Sequence, residues 1–347
     1  MKKITHLTVV SVALLLLSAC TPGPQPAVVW KFNTEGPIWN TPIIAQHSVY
    51  IGNHHGLYGV NRNTGEKLWE VQCGEQVYIS PHSMADDLLY FGVRGDHYLY
   101  AAKAQTGEVT KHIDLEDKQV ILPPITANAV VYYATNDGML HAWDSQSQTV
   151  MWSTDVSASL DSSISVADDT VYVAGNWQGE LLALDTQTGA QRWRMKTNHQ
   201  GASKAIVVDG ILYFGSSDGH LYAVKAQTGE EQWRFRTNGP VDGISYTEGT
   251  IYIGSEDHHV YAIDSATGKQ KWKFKAKDKI VTSPLSGKGA VYFGSLDGHL
   301  YAVDAGTGRQ IWAFLTGGPI NSSPVEADGL IYFGSDDGYL YAVAPPS

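Results

Sequence analysis

The segment AVYFGSLDGHLYAVDAGTGRQIWAFL (Ala290–Leu315) contains three stretches of alternating apolar and small or polar residues, separated by two glycine turns. Such alternation is typical of half-buried β-strands. Asp297-Gly298 and the Gly-Thr-Gly of residues 306–308 supply the turns, because glycine adopts a positive φ at little cost. With KIVTSPLSG (Lys279–Gly287) as a preceding strand, the segment predicts a four-stranded antiparallel unit.

This unit is repeated along the chain. The LYAV of its third strand has an equivalent in every repeat, and the second residues of successive equivalents are 39 to 42 residues apart. A period near 40 residues with four short strands is typical of a propeller blade. The sequence therefore predicts an all-β protein, a single eight-bladed β-propeller of four-stranded blades over residues 28–344. The eight equivalent residues are Tyr58, Tyr100, His141, Leu182, Tyr222, Tyr261, Tyr301 and Tyr341.

The segment that joins the third strand to the fourth carries a family resemblance. AVDAGTGRQIW (Ala302–Trp312) and AIDSATGKQKW (Ala262–Trp272) resemble the tryptophan-docking motif of pyrroloquinoline-quinone (PQQ)-type propeller repeats. The resemblance implies that a Trp on each outer strand buries its ring against the neighbouring blade. Two repeats depart from the motif: one has Lys111 at the Trp position, and another keeps its Trp but lacks Thr-Gly. The expected docking residues are Trp30, Trp69, Trp152, Trp193, Trp233, Trp272 and Trp312.

The last repeat lacks its fourth strand. GSDDGYLYAVAPPS (Gly334–Ser347) supplies a second and a third strand, and its two prolines end the pattern there. At the other end of the chain, VVWKFNTEGPI (Val28–Ile38) matches QIWAFLTGGPI (Gln310–Ile320), which begins with the outer strand of the seventh repeat. We therefore expect residues 28–33 to complete the blade formed by residues 319–344 and so to close the ring.

The first 27 residues predict export and a lipid anchor. MKKITH is a basic n-region, LTVVSVALLLL is too short for an ordinary membrane span, and Leu17-Ser18-Ala19-Cys20 resembles a bacterial lipobox. We predict a signal peptide over residues 1–19, lipidation of Cys20, and a Pro-rich tether over residues 20–27. The alternative is an ordinary signal peptide with an incidental Cys. Thr21 in place of Asp implies, by resemblance to Gram-negative lipoproteins, an outer-membrane protein that faces the periplasm.

Charge and cysteine content bear on several function classes. The net charge is −11, and no basic cluster has the character of a nucleic-acid footprint. The basic segment Lys269–Lys279 is interpreted as a charged edge strand that suppresses aggregation. Cys73 alone remains after processing; we expect a buried spectator, with an intermolecular disulfide as the alternative. The sequence contains no nucleophile elbow, HExxH, phosphate loop or CxxC, so no catalytic residue is predicted.

The loops that enter each inner strand, such as GPIWNTP and GPINSSP, vary most between repeats. In a propeller these loops share one face with the turns between the second and third strands, so we predict a partner-binding rim there. The alternative is that these residues fill or hydrate the central channel. His54-His55 and His258-His259 flank this face in separate blades, and no metal site is predicted. The candidate rim residues are Trp39, Tyr78, Ile121, Asp161, Trp177, Ala202, Asp242, Val281 and Asn321.

The lipobox, Thr21 and a single PQQ-type propeller together resemble the BamB-type family, the β-propeller lipoproteins of the outer-membrane β-barrel assembly machinery. The resemblance covers the chain from residue 28 onward. It implies a monomeric, non-enzymatic scaffold without a cofactor. Such a scaffold binds a protein partner in the cell envelope, a β-barrel assembly component, and aids the folding or insertion of outer-membrane proteins. The family typically has longer partner-binding loops than this chain, so no partner-contact residue is carried over.

Two alternatives stay open, because a fold does not determine a function. One is another protein-binding or ligand-sensing propeller lipoprotein that uses the same rim. The other is a PQQ-dependent oxidoreductase, since the repeat also resembles quinoprotein dehydrogenases. Those enzymes are much longer, hold PQQ with inserted loops and a calcium ion, and often carry a vicinal disulfide. This chain has short loops and no second mature Cys.

Overall fold

The computed structural model describes residues 24–72, 83–93, 95–156, 164–174, 179–197 and 205–346. In these ranges 32 β-strands form eight antiparallel sheets of four strands each. The sheets follow one another around a ring, which confirms the predicted eight-bladed β-propeller. A helix long and apolar enough to span a membrane is absent from the described ranges. The predicted signal peptide, Cys20 and Cys73 lie outside them.

Each blade begins with a short strand close to the ring axis and continues outward in chain order. The second strand is buried on both faces, because each blade is packed between two others. The innermost strands are β2 (Ile43–Ile44), β6 (Ser83–Ala85), β10 (Ile125–Ala127), β14 (Ile164–Ala167), β18 (Ile206–Val208), β22 (Val241–Thr247), β26 (Leu285–Gly287) and β30 (Val325–Ala327). The second strands are β3 (Ser48–Gly52), β7 (Leu88–Gly92), β11 (Val130–Ala134), β15 (Thr170–Ala174), β19 (Ile211–Gly215), β23 (Thr250–Ser255), β27 (Ala290–Gly294) and β31 (Leu330–Gly334).

The third strand pairs with the second through a hairpin, which has an Asp-Gly turn in blades 3, 5, 7 and 8, and the fourth strand forms the outer edge of the blade. The third strands are β4 (Gly56–Asn61), β8 (Tyr98–Lys103), β12 (Met139–Asp144), β16 (Glu180–Asp185), β20 (His220–Lys225), β24 (His259–Asp264), β28 (His299–Asp304) and β32 (Tyr339–Ala344). The fourth strands are β5 (Lys67–Gln72), β9 (Val109–Asp114), β13 (Thr149–Asp155), β17 (Gln191–Lys196), β21 (Glu231–Arg236), β25 (Gln270–Lys275), β29 (Gln310–Leu315) and β1 (Ala27–Asn33).

Blades are numbered in chain order, and the last one takes its outer strand from the N-terminal part of the chain. Blade 1 is β2–β5, blade 2 β6–β9, blade 3 β10–β13, blade 4 β14–β17, blade 5 β18–β21, blade 6 β22–β25, blade 7 β26–β29, and blade 8 is β30–β32 with β1. Trp30 lies opposite Ala342 across β1 and β32, as Trp312 lies opposite Ala302 in blade 7. The predicted closure of the ring by the N-terminal strand is confirmed.

The tryptophans of the outer strands join each blade to the next. Trp30 Nε1 donates a hydrogen bond to Arg62 O of blade 1 at 2.9 Å, and Trp272 Nε1 donates to Ala305 O of blade 7 at 2.8 Å. These rings are buried, so each one removes a large apolar face from water. The same bond to the following blade is made by Trp69, Trp152, Trp193 and Trp233. Trp312, on blade 7, is 3% exposed and packs between blades 7 and 8.

Candidate functional site at the rim of the ring

The loops that enter the inner strands are held to the hairpins on the same face of the ring. The Ile320 N–H donates to Ser295 O of the preceding blade at 3.1 Å, and the Asp336 N–H donates to Pro319 O of its own blade at 2.9 Å. Thr316 Oγ1 also donates to Gly318 O and Gly298 O, at 2.7 and 2.9 Å. Backbone and side-chain bonds therefore fix the entering loop of blade 8 to blades 7 and 8 at once.

Five of the nine candidate rim residues lie in the described ranges. Trp39 in blade 1 and Ile121 in blade 3 are 39% and 38% exposed. The other three, from blades 6 to 8, are half-buried: Asp242, Val281 and Asn321. The remaining candidates lie outside the described residues: Tyr78, Asp161, Trp177 and Ala202.

Where blade 8 meets blade 1, rim residues from both blades converge on one carboxylate. Asn321 Nδ2 donates to both Asp336 oxygens at 3.1 Å, and the Trp39 side chain donates a further hydrogen bond to the same group. Burial raises the pKa of Asp336 above its ordinary value, and these bonds oppose that shift. The Trp39 ring meets His54 edge to face, with centroids 4.5 Å apart. Trp39 is therefore held in place on one side while its other surface faces solvent.

A second carboxylate of the rim lies in blade 6 and is poorly compensated. Asp242 Oδ2 is buried and has no hydrogen-bond partner among the described residues. The pKa of Asp242 is raised to about 7. Burial is the main cause, the charge of the nearby Glu256 also raises the pKa, and Lys279 acts to lower it. Lys279 Nζ itself pairs with Glu256 at 2.6 Å. Asp242 therefore titrates close to neutral pH.

Sequence analysis did not identify a recurring Tyr–Asp bond at the hairpins. Tyr301 OH donates to Asp297 Oδ2 at 2.7 Å, and the N–H groups of His299 and Lys277 donate to the same carboxylate at 2.9 and 3.0 Å. Burial acts to raise the pKa of Asp297, but these bonds hold it below its usual range. The signal is a Tyr four residues after the turn Asp. Similar pairs are Asp96–Tyr100, Asp218–Tyr222, Asp257–Tyr261 and Asp337–Tyr341.

The histidine pairs that flank the rim make structural contacts in their own hairpins. His54 packs on Trp39, and His259 Nδ1 lies 2.9 Å from Asp257 O and 3.2 Å from Asp257 Oδ1. His258 Nδ1 lies 3.3 Å from Lys277 O. Within the described ranges, three or more metal-ligating side chains do not come together at any point. The described part of the rim exposes both apolar and hydrogen-bonding groups.

The family model PQQ_2, described as outer membrane protein assembly factor BamB, matches four overlapping segments: residues 25–120, 54–162, 136–245 and 236–347. A protein of that name from Burkholderia pseudomallei is 24% identical over 169 residues, 44% of this chain and 41% of that protein. The aligned part thus spans less than half of the relative.

Two solved structures share the fold. BamB from Moraxella catarrhalis aligns with a TM-score of 0.76 and 19% identity, over 92% of this chain and 100% of that one. A quinohemoprotein alcohol dehydrogenase from Comamonas testosteroni aligns with a TM-score of 0.75 and 14% identity, over 93% of this chain and 78% of that one. At these identities the likeness establishes the propeller fold alone.

Proposed function

Because the chain belongs to the family described as outer membrane protein assembly factor BamB, we propose that it is a non-enzymatic scaffold that binds partner proteins. In this proposal it is anchored through Cys20 to the outer membrane, faces the periplasm, and aids the assembly or insertion of outer-membrane β-barrel proteins. The partner is a protein component of the β-barrel assembly machinery. The family description and the relative from Burkholderia pseudomallei support this role.

The observation that carries the proposal is Trp39, an aromatic side chain that is 39% exposed yet held by neighbouring residues, with the exposed Ile121 on the same face. Protein interfaces are enriched in aromatic anchors that are already ordered before binding, since ordering a side chain on association costs free energy. Trp39 meets that condition through its contacts with Asp336 and His54. Asn321 adds a polar group beside it, half-buried on the same face. Trp39 therefore combines an exposed aromatic surface with adjacent polar groups, which is typical of a protein-binding surface.

The test is recovery of partners from crosslinked cell envelopes. The wild-type chain should recover components of the β-barrel assembly machinery. The double variant Trp39→Ala, Ile121→Ala should reduce the recovered amount by about tenfold or more. Ile311→Ala is the control: Ile311 is 40% exposed, but it lies near the start of β29, at the end of the outer strand of blade 7 that is away from the rim. Undiminished recovery by the rim variant would contradict the proposed surface, and repeated recovery of no assembly component by the wild type would contradict the proposed role.

The lipid anchor has a separate test with a control within the same chain. Cys20→Ser should release the protein from the membrane fraction and abolish incorporation of labelled palmitate. Cys73→Ser, the other cysteine, should leave both unchanged. Membrane association that persists in Cys20→Ser would show that a lipid on Cys20 is not the anchor.

The non-enzymatic assignment is tested against the PQQ-dependent alternative. The full-length protein is incubated with PQQ, calcium, primary alcohols and a dye that accepts electrons. We expect neither dye reduction nor a change in the absorbance of PQQ. Sustained dye reduction that depends on PQQ would contradict the non-enzymatic assignment and identify the protein as an oxidoreductase.

A further inference from the structure

Basic side chains are concentrated on the outer strands of three consecutive blades, 4, 5 and 6. The positions one and three after the docking Trp alternate along the strand, so their side chains project to one face, and the position before the Trp is the extra residue of a β-bulge. In blades 4 to 6, eight of these nine positions carry Arg or Lys, in a chain whose net charge is −11. We name these eight residues the basic arc: Arg192, Arg194, Lys196, Arg234, Arg236, Lys271, Lys273 and Lys275.

Half of the basic arc is not neutralised within the molecule. Arg192 is held between Asp169 and Asp185, with both N–O distances at 2.7 Å. Arg194, Arg234 and Lys271 make longer ion pairs, of 3.4 to 3.6 Å. Four members make no ion pair with the described part of the chain and have exposed or partly exposed side chains: Lys196, Arg236, Lys273 and Lys275.

Protection of strand edges does not account for the basic arc. All eight outer strands present an open edge, and charged residues are a common means of blocking unwanted pairing. The other five outer strands mix apolar and charged residues at the matching positions: Val29, Leu68 and Leu315 are 49%, 48% and 62% exposed, whereas Lys31, Glu70, Asp114 and Asp155 are charged. Charge of either sign protects an open edge, so edge protection does not explain why blades 4 to 6 carry basic residues alone. Like charges crowded on β25 and its neighbours also repel one another, so the arc carries an electrostatic cost.

We infer that the basic arc binds an extended, acidic segment of a partner protein, which adds as a strand to an open edge in blades 4 to 6. A strand places alternate side chains on one face at about 6.6 Å intervals. Carboxylates at every second position of an added strand would therefore lie beside Lys273 and Lys275. The backbone edge of β25 supplies hydrogen bonds to such a strand, and the lysines supply charge complementarity. A lipid surface could use the charges but not the edge.

This surface is distinct from the rim. The basic arc lies on the outer strands, whereas Trp39 and Ile121 lie at the entrance to the inner strands. Blade 4 is also opposite blade 8 in the ring, so the arc is remote from the N-terminal strand β1. The inference therefore holds or fails independently of the proposed function.

The test measures binding of synthetic peptides to the full-length protein by fluorescence anisotropy. An alternating Glu-Thr peptide can pair as a strand, whereas an alternating Glu-Pro peptide keeps the carboxylates but cannot form the ladder. We expect the Glu-Thr peptide to bind, its affinity to fall with ionic strength, and the Glu-Pro peptide to bind about tenfold more weakly or worse. Equal binding of the two peptides, or no binding of either, would overturn the inference.

Variants locate the binding surface. Arg236→Glu with Lys275→Glu should weaken binding of the Glu-Thr peptide by about tenfold or more. The control, Lys31→Glu with Lys103→Glu, makes the same change of charge in blades 8 and 2 and should bind like the wild type. A thermal unfolding curve establishes that each variant is folded. Unchanged binding by the arc variant, or binding of phosphatidylglycerol vesicles in place of the peptide, would overturn the inference.

Discussion

The indole of Trp30 lies directly over Gly65, so closely that a Cβ added to Gly65 would fall 2.7 Å from Trp30 Cδ2. Trp30 belongs to blade 8 and Gly65 to a turn of blade 1, where its φ is 73°. The contact therefore fastens the strand that closes the ring to the next blade. The same stacking of a Trp on a turn glycine of the following blade occurs at Trp69/Gly107, Trp152/Gly189, Trp193/Gly229, Trp233/Gly268 and Trp272/Gly308.

Removal of the Trp30 ring should destabilise the closed propeller. Trp30→Ala leaves a cavity between blades 8 and 1 and deletes the bond to Arg62 O, so we expect a loss of about 3–5 kcal/mol in the free energy of unfolding. Urea titration followed by tryptophan fluorescence measures it. Trp39→Ala removes the same side chain from a position that is 39% exposed; it loses the bond to Asp336 and the contact with His54 but leaves no buried cavity, so it should cost less, about 1–2 kcal/mol. Similar losses for the two variants would show that β1 is not needed for closure.

The two irregular repeats are neighbours: blade 2 lacks the docking Trp, and blade 3 lacks the turn glycine on which that Trp would pack. The missing Trp explains the missing glycine. Blade 2 has Lys111 opposite Ala101, the register of a docking Trp in the other blades. The turn of blade 3 that such a Trp would cover has Gln148 in place of glycine, with a φ of 59°. A side chain is tolerated there because the sequence supplies no indole at this place. Trp143 of blade 3 packs on Tyr90 of blade 2 instead, with ring centroids 6.3 Å apart.

Turn substitutions should reveal which glycines are required by a docked ring. Gly229→Ala places a Cβ 2.7 Å from the ring of Trp193 at a φ of 72°, so we expect a loss of about 1–3 kcal/mol. Gln148→Gly relieves a positive φ where no ring docks and should be neutral or stabilising by up to about 1 kcal/mol. Melting temperatures of both variants test this contrast. A stable Gly229→Ala protein would mean that the ring moves aside.

The sequence predicted the fold well because the determinants of a blade are local and repeated. The Asp-Gly hairpin and the Thr-Gly turn each lie within a few residues, and a period near 40 multiplies the signal. The closing strand was also predictable, because residues 28–38 match residues 310–320. Residues 28–33 form an outer strand that belongs to no blade of their own, and the blade of residues 319–344 lacks its outer strand. Pairing the two closes the ring.

The rim was only partly predictable, since its contacts arise between blades. Loop variability marked the positions of Trp39 and Asn321. It could not show that both side chains bond Asp336, because Trp39 of blade 1 reaches Asp336 of blade 8 only when β1 closes the ring. Exposure was equally hidden: Ile121 projects to solvent, whereas Val281 at the matching position of blade 7 is half-buried. The Tyr–Asp bonds had a local signal, and their function is to hold the hairpins.

The hairpin bond between Tyr301 and Asp297 should contribute measurably to stability. Tyr301→Phe keeps the ring but leaves the half-buried Asp297 with one fewer donor, so we expect a loss of about 1–3 kcal/mol in the free energy of unfolding. Tyr292→Phe is the control, because its hydroxyl donates to no aspartate of the described residues. Equal effects of the two substitutions would indicate that water replaces the lost donor.

Stability should fall as the pH rises from about 4 to about 7 through the contribution of Asp242. Burial raises the pKa of this carboxyl to about 7 in the folded protein, against about 4 in an unfolded chain. The folded state therefore binds the proton more tightly, so the contribution of Asp242 is fully present below pH 4. It is lost as the pH rises through 7, where a charged oxygen without a hydrogen-bond partner is buried. The difference in pKa corresponds to an effect on the order of 2–4 kcal/mol.

Asp242→Asn isolates this contribution from the other carboxylates, whose titration is common to the wild type and the variant. The variant should be more stable than the wild type at pH 8, and the difference should shrink toward pH 4, because the neutral amide lacks the buried charge at every pH. Urea unfolding at several pH values measures the difference. A pH-independent difference for Asp242→Asn would mean that an unseen donor, such as water, already compensates the carboxylate, and that the rim of blade 6 is wetter than its burial implies.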